Sequence, residues 1–341
     1  MPDGSLGSLG SRGARRAIGV ASLALTTALA ACGNGGGASP ALRVGIPSGA
    51  TFSQATDSLH GVGLVQFPRL FRLYAKLSGR DRDIKAGTYV LEGNLSWNEL
   101  LDALTRGEGI ESKVTIPEGY ALRDIVPLLA KALELSEDSV EAAVRDTSLL
   151  RALNVPTPTL EGYLFPDTYS FMHGTSARQA VHDMVQRFEQ VWQPAWDERL
   201  QELAMSRHDI VTLASIIEKE ARLAEERPVI SAVYHNRLRA QMPLQADPTV
   251  QYARGQHSER VLYRDLEVDS PYNTYKHAGL PPGPISSPGK ASLEAALQPA
   301  QVKYMFFVAH PDGHHEFRET FKEHVEARQD VRRERRRNGG R

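Results

Sequence analysis

The strongest constraint on the fold is a short unit that occurs twice in the N-terminal half. Val44-Gly-Ile46-Pro47-Ser-Gly49 and Val114-Thr-Ile116-Pro117-Glu-Gly119 each join a β-like run to a Pro-x-Gly turn. Each then opens an apolar-periodic segment: Phe52, Ala55 and Leu59 in one, Leu122, Ile125, Leu128 and Leu129 in the other. Spacings of three and four place such residues on one helix face, and Pro-x-Gly allows a tight reversal before it. The repeated unit predicts strand, turn and helix, and the chain an α+β fold.

The first copy continues through a helical Leu70–Tyr74 to Ile84–Leu91, which alternates like a strand. Ser96 then precedes Glu99 at capping-box spacing, so a helix should begin there. A β-α-α-β module over residues 42–111 resembles LysM, a small glycan-binding fold. The second copy runs into a helix capped by Ser136, then into Leu160-Glu-Gly-Tyr-Leu-Phe-Pro-Asp-Thr-Tyr169. Tyr163 and Phe165 lie there beside Glu161. That pattern suits a half-buried strand with its turn, or aromatic faces for stacking sugars. Residues 177–203 should be mostly helical, with Trp192 and Trp196 packed at i, i+4. Tyr304–Ala309 is expected as a buried strand turning at Asp312-Gly313 into His315-Glu-Phe317.

The N-terminus has the form of an export signal. Arg12, Arg15 and Arg16 precede an apolar run from Ala17 to Ala31, shorter than the roughly 20 residues of a bilayer span. Leu29-Ala-Ala-Cys32 resembles a bacterial lipobox, which would leave Cys32 as a lipid anchor, and residues 32–41 form a Gly-rich tether. The expectation is a protein held at the extracytoplasmic (periplasmic) face of a membrane, by lipid in preference to a single-pass helix. Cys32 is the only cysteine, so intrachain disulfides and a second thiol are excluded. Removal of residues 1–31 leaves 37 basic and 40 acidic residues. That balance argues against a nucleic-acid partner; the basic tail, residues 329–341, suits a solvated helix end.

Chemistry concentrates between residues 205 and 328. Ile210, Leu213, Ala214, Ile217 and Ala221 make one apolar helix face, with Glu218 and Glu220 on its two flanks. Spacing does not choose between these glutamates. Two loops come next, Leu244-Gln-Ala-Asp-Pro-Thr249 and Tyr272-Asn-Thr-Tyr275, rich in amides, hydroxyls and tyrosines. Such loops suit a neutral polar polymer; phosphate would call for a glycine-rich loop entering a helix. Asp247 serves equally as a turn residue or as a second carboxylate. His235, His315 and His324 lack metal-ligand spacing and suit structural or rim positions, and no cofactor is implied.

From about Val44 to Arg328 these blocks, with Ala214-Ser-Ile-Ile-Glu-Lys-Glu220 and Gly279-Leu-Pro-Pro-Gly-Pro-Ile285, resemble the endolytic murein transglycosylases of the MltG (YceG-like) family. The resemblance implies a LysM-like module, a connecting α+β region over residues 112–204 and a YceG-like catalytic domain over residues 205–328. It implies a lyase that cleaves the MurNAc–GlcNAc β-1,4 bond within peptidoglycan strands, leaves 1,6-anhydroMurNAc ends, and terminates nascent strands. By the same resemblance Glu218 is the catalytic acid/base. Glu161, Tyr163, Phe165, Asn236, Gln245, Asp247, Thr249, Asn273, Thr274 and Tyr275 are candidates to hold the substrate. Penicillin-binding proteins of wall synthesis are the implied partners. A non-catalytic wall-binding protein and a two-carboxylate muramidase are the rival readings. Family members commonly carry a transmembrane helix where this chain has a lipobox.

Overall fold

A computed structural model describes residues 40–255 and 261–338; the leader and Cys32 lie outside it. The architecture is α+β. Its N-terminal part comprises β1 (Ala41–Ile46), α1 (Phe52–Gly61), α2 (Pro68–Leu77), β2 (Gly87–Glu92), α3 (Trp97–Arg106) and β3 (Ile110–Thr115). The middle comprises α4 (Leu122–Leu133), α5 (Glu137–Ala143), α6 (Thr147–Ala152), β4 (Thr168–Met172), α7 (Ala177–Val191) and α8 (Pro194–Leu203). The C-terminal part holds α9 (Arg207–Glu220), α10 (Arg227–Arg239), α11 (Asp247–Arg254), α12 (Lys290–Leu297), β5 (Phe306–Ala309), β6 (His315–Arg318) and α13 (Phe321–Asn338). No helix of the described residues is long and apolar enough to cross a membrane.

The repeated unit folds the same way twice. Gly49 and Gly119 both sit at φ 77°, and the amides of Ala50 and Tyr120 close the turns on the carbonyls of Pro47 and Pro117. A side chain is strained at that φ, which is why glycine occupies both places. Helix starts obey the capping chemistry: Ser96 with Glu99 at α3, and Ser206 with Asp209 at α9, form complete capping boxes. The helical stretch after Ala177 is broken at Trp192-Gln193, because Pro194 disfavours helical backbone in the residue before it. Trp192 and Trp196 are buried and meet edge to face at 5.2 Å.

The strands β1-β2-β3-β4 form one antiparallel sheet, from Ala41↔Glu92 at one end to Thr115↔Thr168 at the other. Tyr89, Phe71, Leu101 and Leu104 centre a small core under β1 and β2. A larger core gathers α4 to α9 and α12 around Ile125, Leu164, Phe188 and Ile217. The sheet does not stop at residue 111. β3 joins β2 through two residue pairs and continues for five pairs along β4. In Leu160–Tyr169 only the last two residues are strand; the rest is turn.

Candidate active site

Helix α9 is buried on every side from Ile210 to Ile217 and reaches solvent only in its first and last turns. The Gly/Pro loop before α12 lies along it. Ser215 Oγ accepts from the Ile285 amide at 3.0 Å, and Ser286 Oγ donates to the Ser215 carbonyl at 3.2 Å. The 160–165 turn closes over the same loop at Gly162, φ 82°, where a Cβ would come within 2.4 Å of Pro284. Gly162→Ala is therefore expected to cost at least about 1–3 kcal/mol from the backbone conformation alone. Urea unfolding that matches the parent would show that this contact gives way freely.

The three residues at the end of α9 face three different surroundings. Lys219 is exposed and donates from Nζ to the Gly119 carbonyl at 3.2 Å. Glu218 turns toward α12. Its Oε2 accepts from the Gly289 amide at 3.0 Å and from Ser292 Oγ at 2.7 Å, and Arg227 Nη2 stands 3.5 Å from Oε1. Arg227 Nε also donates to Ser292 Oγ at 3.1 Å, so the group closes on itself. Glycine cannot cap α12 with a side chain, and Glu218 supplies that cap from another helix. Glu118, from the second Pro-x-Gly turn, packs against the same corner. Burial and then the charge of Glu218 push its carboxyl above the ordinary range, partly offset by Arg227.

Glu220 faces the opposite way. Its Oε1 accepts from Tyr234 Oη at 3.1 Å. Burial, and after it the negative charge of Asp247, push its pKa up to about 7, against the opposing effects of Tyr234 and Arg237. Asp247 begins α11 and accepts from Tyr275 Oη at 2.6 Å. Burial and then both carboxylates hold the Tyr275 phenol well above its usual range. Gln245, two residues before Asp247, is exposed in the left-handed conformation at φ 50°, a strained state for glutamine. Arg237 fixes this loop, donating from Nη1 to the Leu244 carbonyl and from Nε to the Met305 carbonyl, both at 2.7 Å.

Of the residues singled out in the sequence, Asp247 and Tyr275 thus converge on Glu220, with Gln245 beside them. The others are packed into the fold. Asn273 is fully buried, donating to the Leu266 and Val268 carbonyls and accepting from the Tyr275 amide. Thr249 and Thr274 share a buried hydroxyl pair at 2.9 Å. Asn236 staples α10 to the carbonyls of Val302 and Tyr304. Tyr163 is buried and hydrogen-bonded to His208, and Phe165 is buried beneath Arg187. Glu161 is buried and accepts from the Leu122 amide and from Tyr252, capping α4 where Ala121 cannot. Burial pushes its carboxyl up to about 7. His235 and His315 are buried against the Ala296 carbonyl and Glu226. Sequence patterns alone miss Glu118, Arg227, Tyr234 and Arg237. Only Glu118 carries a local signal, the Pro-Glu-Gly motif, and that motif specifies no more than a turn.

Several known proteins resemble this chain along most of its length. An endolytic murein transglycosylase of Bacillus subtilis is 36% identical over 304 residues, 84% of this chain and 84% of the relative. One of Streptococcus pneumoniae is 31% identical over 297 residues, covering 78% of this chain and 54% of the relative. The crystal structure of a YceG-like protein from Listeria monocytogenes superposes with a TM-score of 0.61 at 36% identity, over 84% of this chain and 98% of that one. The model of the YceG-like family matches residues 44–330, and the chain belongs to that family.

Proposed function

We propose that this protein is an endolytic lytic transglycosylase of peptidoglycan, with Glu220 in place of Glu218 as its acid/base. The name carried by its relatives supports the class of reaction. The observation that carries the assignment of the acid is the contrast between the two glutamates. Glu218 is closed into an ion pair and two hydrogen bonds, which commit both of its oxygens to holding α12 and Arg227. Glu220 is held near the pKa at which one group can donate a proton and then accept one.

Protonated Glu220 donates to the glycosidic oxygen as the C1–O bond of the muramoyl residue breaks. The resulting carboxylate takes the proton of the C6 hydroxyl while O6 bonds to C1, closing the 1,6-anhydro ring and restoring the acid. No water enters, and the nucleophile belongs to the substrate. Asp247, held by Tyr275, stabilises the positive charge that develops at C1 and keeps Glu220 protonated in the free site. Gln245 lies at the rim to bind the N-acetyl or hydroxyl groups. Cys32 as lipid anchor, residues 42–111 as a LysM-like glycan grip, and termination of nascent strands beside penicillin-binding proteins complete the proposal.

Asp247 beside Glu220 also fits a two-carboxylate muramidase, and the products distinguish the two. Mass spectrometry of digested peptidoglycan is expected to give anhydro ends, lighter by one water than reducing ends. Reducing ends would assign the hydrolase, and intact strands the wall-binding protein.

A further inference from the structure

Ten large apolar side chains are exposed among the described residues, and five of them lie on α2 and its N-cap. These are Phe67, Leu70, Leu73, Tyr74 and Leu77, with Phe67 60% and Leu77 79% exposed. At about 100° per residue they form one stripe roughly 120° wide. Phe71 and Ala75, on the adjoining face, are buried and fix α2 to the small core. The helix carries Arg69, Arg72 and Lys76 and no acidic residue. Arg72 pairs with Asp57; Arg69 and Lys76 are exposed, beside the apolar stripe, with no ion-pair partner among the described residues.

We infer that α2 is a membrane-surface helix, its apolar stripe set among the acyl chains and Arg69 and Lys76 against anionic headgroups. This inference rests on the N-terminal anchor proposed for Cys32. Nine residue steps separate Cys32 from Ala41 at the start of β1. Fully extended they reach about 30 Å, so a lipid at Cys32 keeps the small core within one domain diameter of the bilayer. Apolar residues on one face with bases alongside is the pattern of helices that lie in the interface. A symmetric second copy would bring the same cations together. A neutral glycan would use aromatic faces, whereas three of the five exposed side chains are leucines.

The test couples the full chain through its single thiol, Cys32, to a maleimide lipid in phosphatidylethanolamine–phosphatidylglycerol vesicles, with Leu77→Trp as the reporter. Position 77 is open, so the larger ring meets no packing; Leu73→Trp serves as a second reporter. The added tryptophan emission should shift to the blue and lose about half its intensity to lipids brominated high in the acyl chain, given the roughly 5–10 Å depth of such helices. Arg69→Glu with Lys76→Glu should abolish both effects. Flotation with the vesicles verifies coupling, so a coupled chain whose reporter stays in water overturns the helix assignment and leaves the anchor untouched. Independently, loss of fatty-acid labelling in Cys32→Ala tests the anchor. A blue shift that needs protein concentration instead of vesicles would assign the face to a second copy, and displacement from vesicles by soluble glycan would assign it to the wall.

Discussion

Glu220→Gln is expected to lower turnover on peptidoglycan by about 10²–10⁴-fold, the usual worth of general acid/base assistance. Glutamine keeps the shape and can still accept from Tyr234, but it cannot carry the proton. Glu218→Gln should stay within about tenfold of the parent once the folded fraction is accounted for, because its carboxylate acts on α12 and Arg227. The parent should also lose activity as pH rises through about 7, where Glu220 ionises in the free enzyme. The same shift acts on stability. With the folded pKa raised above the ordinary 4.5, the unfolded chain releases its proton first. The contribution of Glu220 is therefore complete below that value and is lost as pH climbs toward about 7; Glu220→Gln should lack this decline. A dead Glu218→Gln beside an active Glu220→Gln would return the acid to Glu218.

Stability should respond to the other glutamate. Glu218→Ala leaves Arg227, whose side chain is only 16% exposed, without its counter-charge and α12 without its cap. Breaking a buried pair from one side typically costs about 3–5 kcal/mol, and loss of a cap adds about 1 kcal/mol to such figures. We expect a loss of about 3 kcal/mol in urea unfolding, since the 3.5 Å pair is not in ideal contact. A double-mutant cycle with Arg227→Ala should recover part of that loss as coupling. Strict additivity would mean that the two side chains do not act together.

Local chemistry makes much of the fold legible. Ser96 with Glu99, Ser136, and the paired Pro-x-Gly turns each specify their structure within a few residues. The 3.6-residue pattern likewise yields α9 and the opposite flanks of Glu218 and Glu220. What each flank meets is hidden, because the partners arrive 9 to 74 residues later: Arg227 and Ser292 on one side, Tyr234, Asp247 and Tyr275 on the other. The amides and hydroxyls of Asn236, Asn273, Thr249 and Thr274 look suited to sugars for a related reason. A residue able to bind a polar ligand is equally able to staple a loop, and only burial separates the two uses. The resemblance identifies the family and points to the first glutamate of Glu-Lys-Glu, whereas the surroundings of the two side chains favour the second as the acid.

The last turn of α9 therefore has no room for slippage. Each residue added to a helix rotates the remaining turns by about 100° and advances them by about 1.5 Å. A single insertion between Ser206 and Glu218 would move both carboxyl groups out of their surroundings at once, while leaving composition and amphipathic character almost unchanged. The flanking loops can lengthen without touching that register. Drift in this lineage should accumulate around α9 and spare its length, and an insertion within it would mark a relative that has kept the fold and given up the reaction.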